Sequence, residues 1–374
     1  MPDRVAYVIG ELTKGGAEYQ LYELVRHLDR RRFEPEVFVL AEGGYWAEPL
    51  RALGVAVRTF PRSGSADLGR LRRLRMALRT FRPDVLHTVL WSANVYGRAA
   101  SIGLRLPVVI AAERNVVRRP PWQRQVERLL DRVTSAYLVN SAAIRDELVQ
   151  SGRLTADKIT VIHNGIDLAA LPPFAIDRCA ARAALGFPPG RRLVAQVGRL
   201  TAQKDYPTFL AAVERLASVA AETDFLIVGE GEERAALAAR VAAAGLGSRV
   251  RFLGLRHDVP QVLAAVDVLA LTSLYEGLPN VVIEAMATGA VAVVTDVGGC
   301  RELITTGLTG FIVPPRDPAA TADRIQQVLD DRGLAERLAV AARRHVEDAL
   351  AVDAMAARTA AVYDAQLAQA RGRS

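Results

Sequence analysis

Two carboxylates stand eight positions apart in the segment Tyr275–Gly289, which follows an apolar run at 267–273 that predicts a buried strand. Pro279 and the apolar residues after it predict a helix that begins near this proline. Glu276 then lies in the loop before the helix, and Glu284 lies inside the helix. The backbone amides of a first helical turn can bind an anion. The residues around this predicted helix start are Leu278, Pro279, Asn280 and Val281.

Paired carboxylates raise the idea of the acid and base of a glycoside hydrolase. Here one carboxylate precedes the helix and the other lies within it, with a candidate anion site between them. This arrangement favours contacts with the hydroxyl groups at both ends of a nucleotide sugar. Two unrelated acids near a helix end are the alternative interpretation.

A second loop carries two cations and follows the apolar run at 192–198. It extends from Gly198 to Asp205 and contains Arg199 and Lys204. Two cations on one loop at a strand end suit an anion with several charged oxygens, such as a diphosphate. A solvated surface loop is the alternative.

The first half of the chain carries a glycine pair, Gly15 and Gly16, between a predicted strand at 5–10 and a helical pattern. A backbone without side chains can approach a phosphate or a sugar closely. The spacing is not that of a dinucleotide-binding fingerprint, so no dehydrogenase is indicated. A tight strand–helix turn is the alternative.

Two further polar groups follow predicted strands of the first half. His87 ends the run at 84–87, and Glu113, Arg114 and Asn115 follow the run at 107–112. His87 is a candidate for the functional site. The alternative is a histidine at a strand end whose hydrogen bonds are made within the fold.

Short apolar runs alternate with longer amphipathic segments, and this pattern occurs once in each half of the chain. It predicts an α/β fold of two doubly wound, Rossmann-like domains, in which ligands bind at the carboxyl ends of the strands. The predicted domains cover 1–170 and 171–355. A C-terminal helix over 356–374 is expected to pack over the body of the protein, and it could cross back to the N-terminal domain. The default site is a cleft between the domains.

The composition is that of a globular protein, with 51% hydrophobic and 24% charged residues among 374. Two cysteines exclude a disulfide scaffold and a four-cysteine zinc site. No apolar run reaches the roughly 18 residues that span a bilayer, and the apolar stretch at the N-terminus is too short for a signal peptide. We therefore expect a cytoplasmic protein.

The net positive charge is confined to the first half of the chain. Residues 1–170 contain 26 basic and 18 acidic side chains, a net charge of +8, whereas the rest contains 22 basic and 23 acidic ones. Arginines cluster at 70–79 and 118–132, which suits docking on an anionic membrane surface from the cytoplasmic side. A solvated helix face is the alternative. Nucleic acid is less favoured, because the 6% of aromatic residues do not interleave with the basic runs.

Together, these motifs resemble the retaining GT-B glycosyltransferases of family 4. The resemblance rests on Gly198-Arg199 with Lys204, on Glu276-Gly-Leu-Pro with Glu284, and on the glycine pair near the N-terminus. His163-Asn164-Gly165-Ile166-Asp167 is similar to the Asn-Gly-(Val/Ile)-Asp element of that family. The similarity covers nearly the whole chain in order.

The resemblance implies a role for each matching residue. Glu276 would contact the transferred sugar and Glu284 the ribose, while Arg199 and Lys204 would bind the diphosphate. Gly15 and Gly16 would lie near the donor phosphates and leave room for the acceptor. We expect Glu113, Arg114 and Asn115 near the acceptor. Many members carry a His-x-His element, of which this chain keeps His87 but has Val89 at the second position.

The sequence therefore predicts an enzyme that transfers a sugar from a nucleotide diphosphate, with UDP the expected base, to a cell-surface glycan or lipid-linked acceptor. Retention at the anomeric carbon follows from the resemblance. No cofactor and no metal are expected, in keeping with the lack of an Asp-x-Asp motif at a strand end. A sugar-nucleotide 2-epimerase of the same architecture and a non-catalytic nucleotide-binding regulator are the two alternatives.

Overall fold

The computed structural model describes residues 1–62, 67–115, 120–174, 177–188 and 190–372. The chain folds into two compact units. Unit 1 comprises Met1–Gly165 and Val352–Ser374, and unit 2 comprises Ile166–Ala351. The unit boundaries thus fall after residues 165 and 351, where the sequence prediction placed domain boundaries after 170 and 355.

The strands and helices of the described residues are numbered in chain order. The strands β1 to β13 are Asp3–Ile9, Phe33–Val39, Ala56–Thr59, Val85–Val89, Val108–Glu113, Ala136–Val139, Ile159–Val161, Arg192–Val197, Thr223–Val228, Val250–Gly254, Val268–Leu271, Val291–Thr295 and Gly310–Val313. The helices α1 to α15 are Gly16–His27, Ala47–Ala52, Leu68–Phe81, Trp91–Ser101, Pro121–Leu130, Ala142–Gln150, Arg178–Ala184, Tyr206–Ala217, Arg234–Ala243, Val259–Ala265, Asn280–Thr288, Cys300–Leu303, Pro318–Asp330, Arg332–Ala349 and Val352–Arg371.

Unit 1 is built on a parallel sheet with strand order β3-β2-β1-β4-β5-β6-β7. Its central strands are buried on both faces, as continuous apolar runs such as that of β1 require. The C-terminal helix α15 belongs to this unit and packs against α1. Tyr363 of α15 is fully buried and forms an edge contact with Phe33 of β2. The last helix therefore completes the core on one face of the unit 1 sheet.

Unit 2 repeats the plan with a parallel sheet of strand order β10-β9-β8-β11-β12-β13. In both sheets the order reverses beside the first strand of the unit, between β1 and β4 and between β8 and β11. Crevices at the carboxyl ends of such strand pairs are where open α/β sheets bind ligands. The expected doubly wound, Rossmann-like α/β fold is thus confirmed for each unit.

None of the helices in the described parts of the chain combines the length and the apolar character needed to cross a membrane.

A buried ion pair links α4 to α5 in unit 1. Arg98 is fully buried and donates to Glu127 over 2.7 Å and to the hydroxyl of Tyr137 over 3.1 Å. Glu127 is also buried. Because both charged groups are removed from water, the attraction between them must offset the free energy of hydration that each has lost.

We predict that Glu127→Gln lowers the free energy of unfolding by about 3–5 kcal/mol, because it leaves the Arg98 guanidinium buried without a counter-charge. The matched control is Glu336→Gln, which breaks the exposed pair with Arg332 and should cost less than about 1 kcal/mol. Chemical denaturation measures both values. Equal effects of the two substitutions would contradict the assignment.

Candidate functional site

The loops that follow β8 and β11 are joined by backbone and side-chain hydrogen bonds at the reversal point of unit 2. Leu274 N donates to the carbonyl of Gln203 over 2.8 Å, and Gln203 Nε2 donates to the carbonyl of Tyr275 over 2.9 Å. The two sequence motifs, whose residues Lys204 and Glu276 are 72 positions apart, therefore form a single surface at the carboxyl ends of the central strands.

An ion pair closes this surface. Lys204 Nζ donates to Glu276 Oε1 over 2.6 Å, and their side chains are only 16% and 9% exposed. Two opposite charges that are largely removed from water attract each other more strongly than a surface pair. The pair fixes the ammonium group and the carboxylate beside each other, one on each loop.

Polar side chains inside the sheet fix the backbone around Lys204. Gln196 of β8 donates through Nε2 to the carbonyl of Lys204 over 2.8 Å, and Thr272 lies within 3.0 Å of the same carbonyl. Gln196 and Thr272 are buried and bonded to each other over 2.9 Å. Asp205 adopts φ 45°, a left-handed conformation that is unusual for a residue other than glycine. Such strain persists only where its surroundings hold it.

A third loop, after β12, supports the carboxylate side of the pair. Gly299 N donates to the carbonyl of Gly277 over 2.7 Å. Gly298 has φ 50°, and a Cβ at this position would collide with the carbonyl oxygen of Glu276. Glycine is therefore required there both for the backbone conformation and for space. Sequence reasoning missed this loop.

Arg199 and Gly198 lie at the start of the loop after β8. Gly198 N donates to Val228 O of the neighbouring strand over 2.9 Å. Arg199 is exposed, and no hydrogen bond or ion pair joins its guanidinium to another residue in the described part of the chain. One cation of the loop is thus held by a carboxylate and the other is open to solvent.

Helix α11 begins at Asn280, directly after Pro279, where the sequence predicted a helix start. Leu278 is buried beneath the loop, and Val281 lies in the first turn and packs against the unit 2 core. Glu284 follows one turn later, and none of the described residues donates a hydrogen bond to its carboxylate. Burial raises the pKa of Glu284 to about 7.

In unit 1, the glycine pair lies at the corresponding reversal point. Gly15 precedes α1 in an extended conformation, and Gly16 is the first residue of that helix. The neighbouring strand, β4, is followed by Leu90, which adopts φ 70° and ψ 165°, a conformation that is rare for leucine. The chain is therefore strained beside the glycine loop.

Glu113, Arg114 and Asn115 lie at the carboxyl end of β5. Asn94 Nδ2 donates to Glu113 Oε1 over 3.0 Å, and Arg114 donates to Asn164 Oδ1 over 2.9 Å. Glu113 and Arg114 line a narrow cavity of about 20 Å³, which His87 and Asn140 also border. This volume suffices for one water molecule.

The prediction that His87 ends its strand was wrong. Strand β4 extends to Val89, so His87 lies at its centre, paired in register with Tyr7 of β1. It is 1% exposed, and its Nδ1 lies 2.6 Å from the hydroxyl of Tyr363. Burial, together with the nearby Arg114, lowers the pKa of His87 to about 3. The imidazole is therefore neutral near pH 7.

Two family models match the chain, each over one of its halves. The model described as Glycosyltransferase Family 4 matches residues 14–170, and the model described as Glycosyl transferases group 1 matches residues 177–345. A glycogen synthase of Mycobacterium tuberculosis is 33% identical over 305 residues, which cover 79% of this chain and 71% of that protein. The chain belongs to glycosyltransferase family 4.

Two other similar proteins cover almost the full chain. An α-maltose-1-phosphate synthase of Mycolicibacterium smegmatis is 28% identical over 93% of this chain and 95% of its own length. The crystal structure of Anabaena HepE in complex with UDP-glucose has a TM-score of 0.87 and 24% identity, and the match covers 97% of this chain and 99% of that one. The protein is thus a retaining, nucleotide-sugar-dependent glycosyltransferase with the GT-B fold.

We predict that the stability of the protein depends on pH through Glu284. Because its pKa is raised from 4.5 to about 7 in the folded protein, folding favours the protonated form. The resulting stabilisation is complete below pH 4.5 and is lost as the pH rises through 7. Between these values the free energy of unfolding of the wild type should fall by roughly 2–3 kcal/mol relative to that of Glu284→Gln. Denaturant titrations at several pH values measure the difference, and parallel pH profiles would contradict the prediction.

Proposed function

We propose that this glycosyltransferase uses a UDP-sugar as donor and transfers its sugar to a cell-surface glycan or lipid-linked acceptor at the cytoplasmic face of the membrane. The observation that carries the proposal is the Lys204–Glu276 pair at the reversal point of unit 2, with the exposed Arg199 on the same loop. A UDP-sugar is further supported by HepE, which was crystallised with UDP-glucose.

Arg199 and Lys204 are proposed to bind the diphosphate. The bond that breaks joins the anomeric carbon to a phosphate oxygen, so the leaving diphosphate gains negative charge in the transition state. These two cations and the first-turn amides of α11, at Asn280 and Val281, would stabilise that charge. Gly198 would let the backbone approach the phosphates, and Leu278 and Pro279 would line the donor site.

The two carboxylates are assigned different parts of the donor. Glu276 would accept hydrogen bonds from the hydroxyls of the transferred sugar while Lys204 compensates its charge. Glu284 would bind the ribose hydroxyls, and its carboxylate has no competing donor among the residues that the structure describes. Neither role requires a covalent bond to the protein.

Residues of unit 1 are assigned to the acceptor side. Gly15 and Gly16 would border the donor phosphates and leave space for the acceptor. Glu113, Arg114 and Asn115 would contact the acceptor from the end of β5. His87 is proposed to act as a neutral group that shapes this region, because its low pKa excludes a positive charge near pH 7.

Retention is accounted for by attack on the face from which the leaving group departs. The acceptor oxygen forms a bond to the anomeric carbon as the bond to the phosphate oxygen breaks, and the acceptor proton passes to the leaving phosphate. The protein contributes orientation and a preorganised positive field. This route is the one implied by the family resemblance.

We predict that Glu276→Gln and Lys204→Ala each lower kcat by at least about 100-fold, since loss of one preorganised group at a breaking bond costs roughly 2.7–4 kcal/mol. Glu336→Gln, on the exposed face of α14, is the matched control and should leave kcat unchanged. Release of nucleotide from UDP-sugars measures turnover. Wild-type rates in either folded variant would refute the assigned site.

Membrane contact is proposed for α5 of unit 1. Trp122 and Leu129 are 60% and 62% exposed on this helix, and Arg124 and Arg128 are exposed beside them. Apolar side chains flanked by arginines are typical of helices that lie in the interface of an anionic bilayer. Arg118 and Arg119, which the sequence analysis included in this cluster, lie outside the described residues.

The other arginine cluster contributes less to this surface than its composition suggests. Arg70 donates to the carbonyl of Leu40 over 3.1 Å, Arg73 pairs with Asp67 over 3.3 Å, and Arg75 donates to the carbonyl of Ala100 over 3.0 Å. These contacts hold three arginines of α3 to unit 1, whereas Arg72 and Arg79 stay exposed. The lipid-facing surface is therefore centred on α5.

We predict that the protein binds anionic vesicles more strongly than neutral ones and that salt releases it, because each arginine near the surface adds about 1 kcal/mol of attraction that salt screens. Replacing Arg124 and Arg128 with Gln should weaken vesicle binding without loss of nucleotide release. Arg332→Gln with Arg337→Gln, on α14, is the matched control. Co-sedimentation with equal binding to both kinds of vesicle at low salt would rule out the docking surface.

A further inference from the structure

Four aromatic side chains gather beside the glycine loop of unit 1. Trp46 stacks on Tyr22 with ring centroids 4.7 Å apart, and it contacts Tyr19 at 5.6 Å. The ring of Tyr45 meets Trp46 edge-on at 5.0 Å. Trp46 and Tyr22 also pack against the unit 1 core. The inner rings of this cluster are therefore fixed, and they support the outer one.

Tyr45 is the outer ring. It is 47% exposed, and the ammonium of Lys14 lies 4.3 Å from its ring centroid. A cation over an aromatic ring is attracted by the negative charge of the ring face. An exposed aromatic side chain held by a cation and by a second ring loses little conformational freedom when it binds a ligand.

The loop that carries Tyr45 is bound to the glycine loop. Leu12 N donates to the carbonyl of Gly43 over 3.2 Å, and Trp46 N donates to the carbonyl of Leu12 over 3.0 Å. Gly44, with φ 138°, brings its backbone so close that a Cβ there would meet the carbonyl of Leu12. Tyr45 is thus positioned by the loop that ends at Gly15.

The charges on these two loops distinguish between ligand classes. Glu11, Thr13 and Glu42 expose their side chains, and Lys14 is the cation that faces Tyr45. Around Tyr45, two carboxylates and one ammonium group leave a net negative charge, which does not attract an anionic lipid headgroup to this ring. Hydroxyl groups, in contrast, can donate to carboxylates, and the C–H face of a sugar ring packs well on an aromatic ring, whose face is negative.

We infer that Tyr45 is a binding platform for a neutral sugar ring of the acceptor, and hence that the acceptor is a glycan rather than a single small alcohol. The sugar stacks on Tyr45, and its hydroxyls donate to Glu11 and Glu42. This inference rests on the proposed function, because it names the substrate class of the acceptor side. It is separate from the lipid-facing surface on α5.

The test measures glycan binding directly. Wild type, Tyr45→Phe and Tyr45→Ala are applied, with saturating UDP, to an array of neutral gluco-, manno- and galacto-oligosaccharides. We expect the wild type to bind at least one of these glycans, Tyr45→Phe to remain within about 3-fold of it because the ring is kept, and Tyr45→Ala to lose at least about 10-fold. The matched control is Ile102→Ala, which removes an apolar side chain of the same unit that is 51% exposed, against 47% for Tyr45, and should bind as the wild type does.

Nucleotide release from a UDP-sugar without acceptor separates this inference from the proposed function. All variants should release nucleotide at the wild-type rate, because Tyr45 is assigned no contact with the donor. Absence of glycan binding by the wild type, or equal binding by Tyr45→Ala, overturns the platform while nucleotide release continues. A wild type that releases no nucleotide from any UDP-sugar overturns the proposed donor, and the platform with it.

Discussion

The ion pair between Lys204 and Glu276 is the contact on which the candidate donor site depends. It joins two loops that are distant in sequence, and both of its side chains are largely buried. Each charge would be costly to bury alone, so the two loops are stable only when they are together. The carbonyl of Lys204 is in turn bound by Gln196, and the Glu276 loop rests on the glycine turn at Gly298.

Strain and burial around this pair are consistent with a preorganised site. Asp205 holds a left-handed conformation next to Lys204, and Thr208 Oγ1 donates to its carboxylate over 2.7 Å. Burial raises the pKa of the Cys300 thiol to about 12, so the group that lies near Glu276 adds no competing charge. The ammonium group and the carboxylate are thus set in position before any ligand arrives.

The two units use different chemistry at their strand ends. Unit 2 presents a buried ion pair and an exposed arginine, which suit a charged donor. Unit 1 presents the asparagine-bound Arg114 and the aromatic cluster around Tyr45, which suit an uncharged and hydroxyl-rich partner. This contrast explains why the positive excess of the first half need not lie at its ligand site, since α5 carries exposed arginines elsewhere in the unit.

Local signals in the sequence predicted the repeated strand–helix alternation and the helix start after Pro279. They also singled out the loops that hold Lys204 and Glu276, because charged residues directly after apolar runs stand out. Gln196 and Thr272 were missed, since one buried polar residue within or beside an apolar strand gives no local signal. The sequence predicts a strand end at His87 because this polar residue interrupts the apolar run, whereas β4 continues for two more residues.

The arginines of α3 are a second case in which local sequence signals did not reveal the contacts of a residue. Their composition suggested a lipid-facing surface, but the acceptors of Arg70 and Arg75 are carbonyls 30 and 25 residues away in the chain. Only the folded structure brings such groups together. The composition therefore shows which half of the chain carries the positive charge, but only the tertiary contacts show which arginines are free to contact lipid.

A crystal structure of the protein with a bound UDP-sugar tests the donor site most directly. We expect diphosphate oxygens within about 3 Å of Lys204 Nζ and of the Arg199 guanidinium, the usual length of charge-assisted hydrogen bonds. We also expect ribose hydroxyls at Glu284 and sugar hydroxyls at Glu276. A nucleotide bound elsewhere, with the Lys204–Glu276 pair facing only solvent, would contradict the assignment of the donor site.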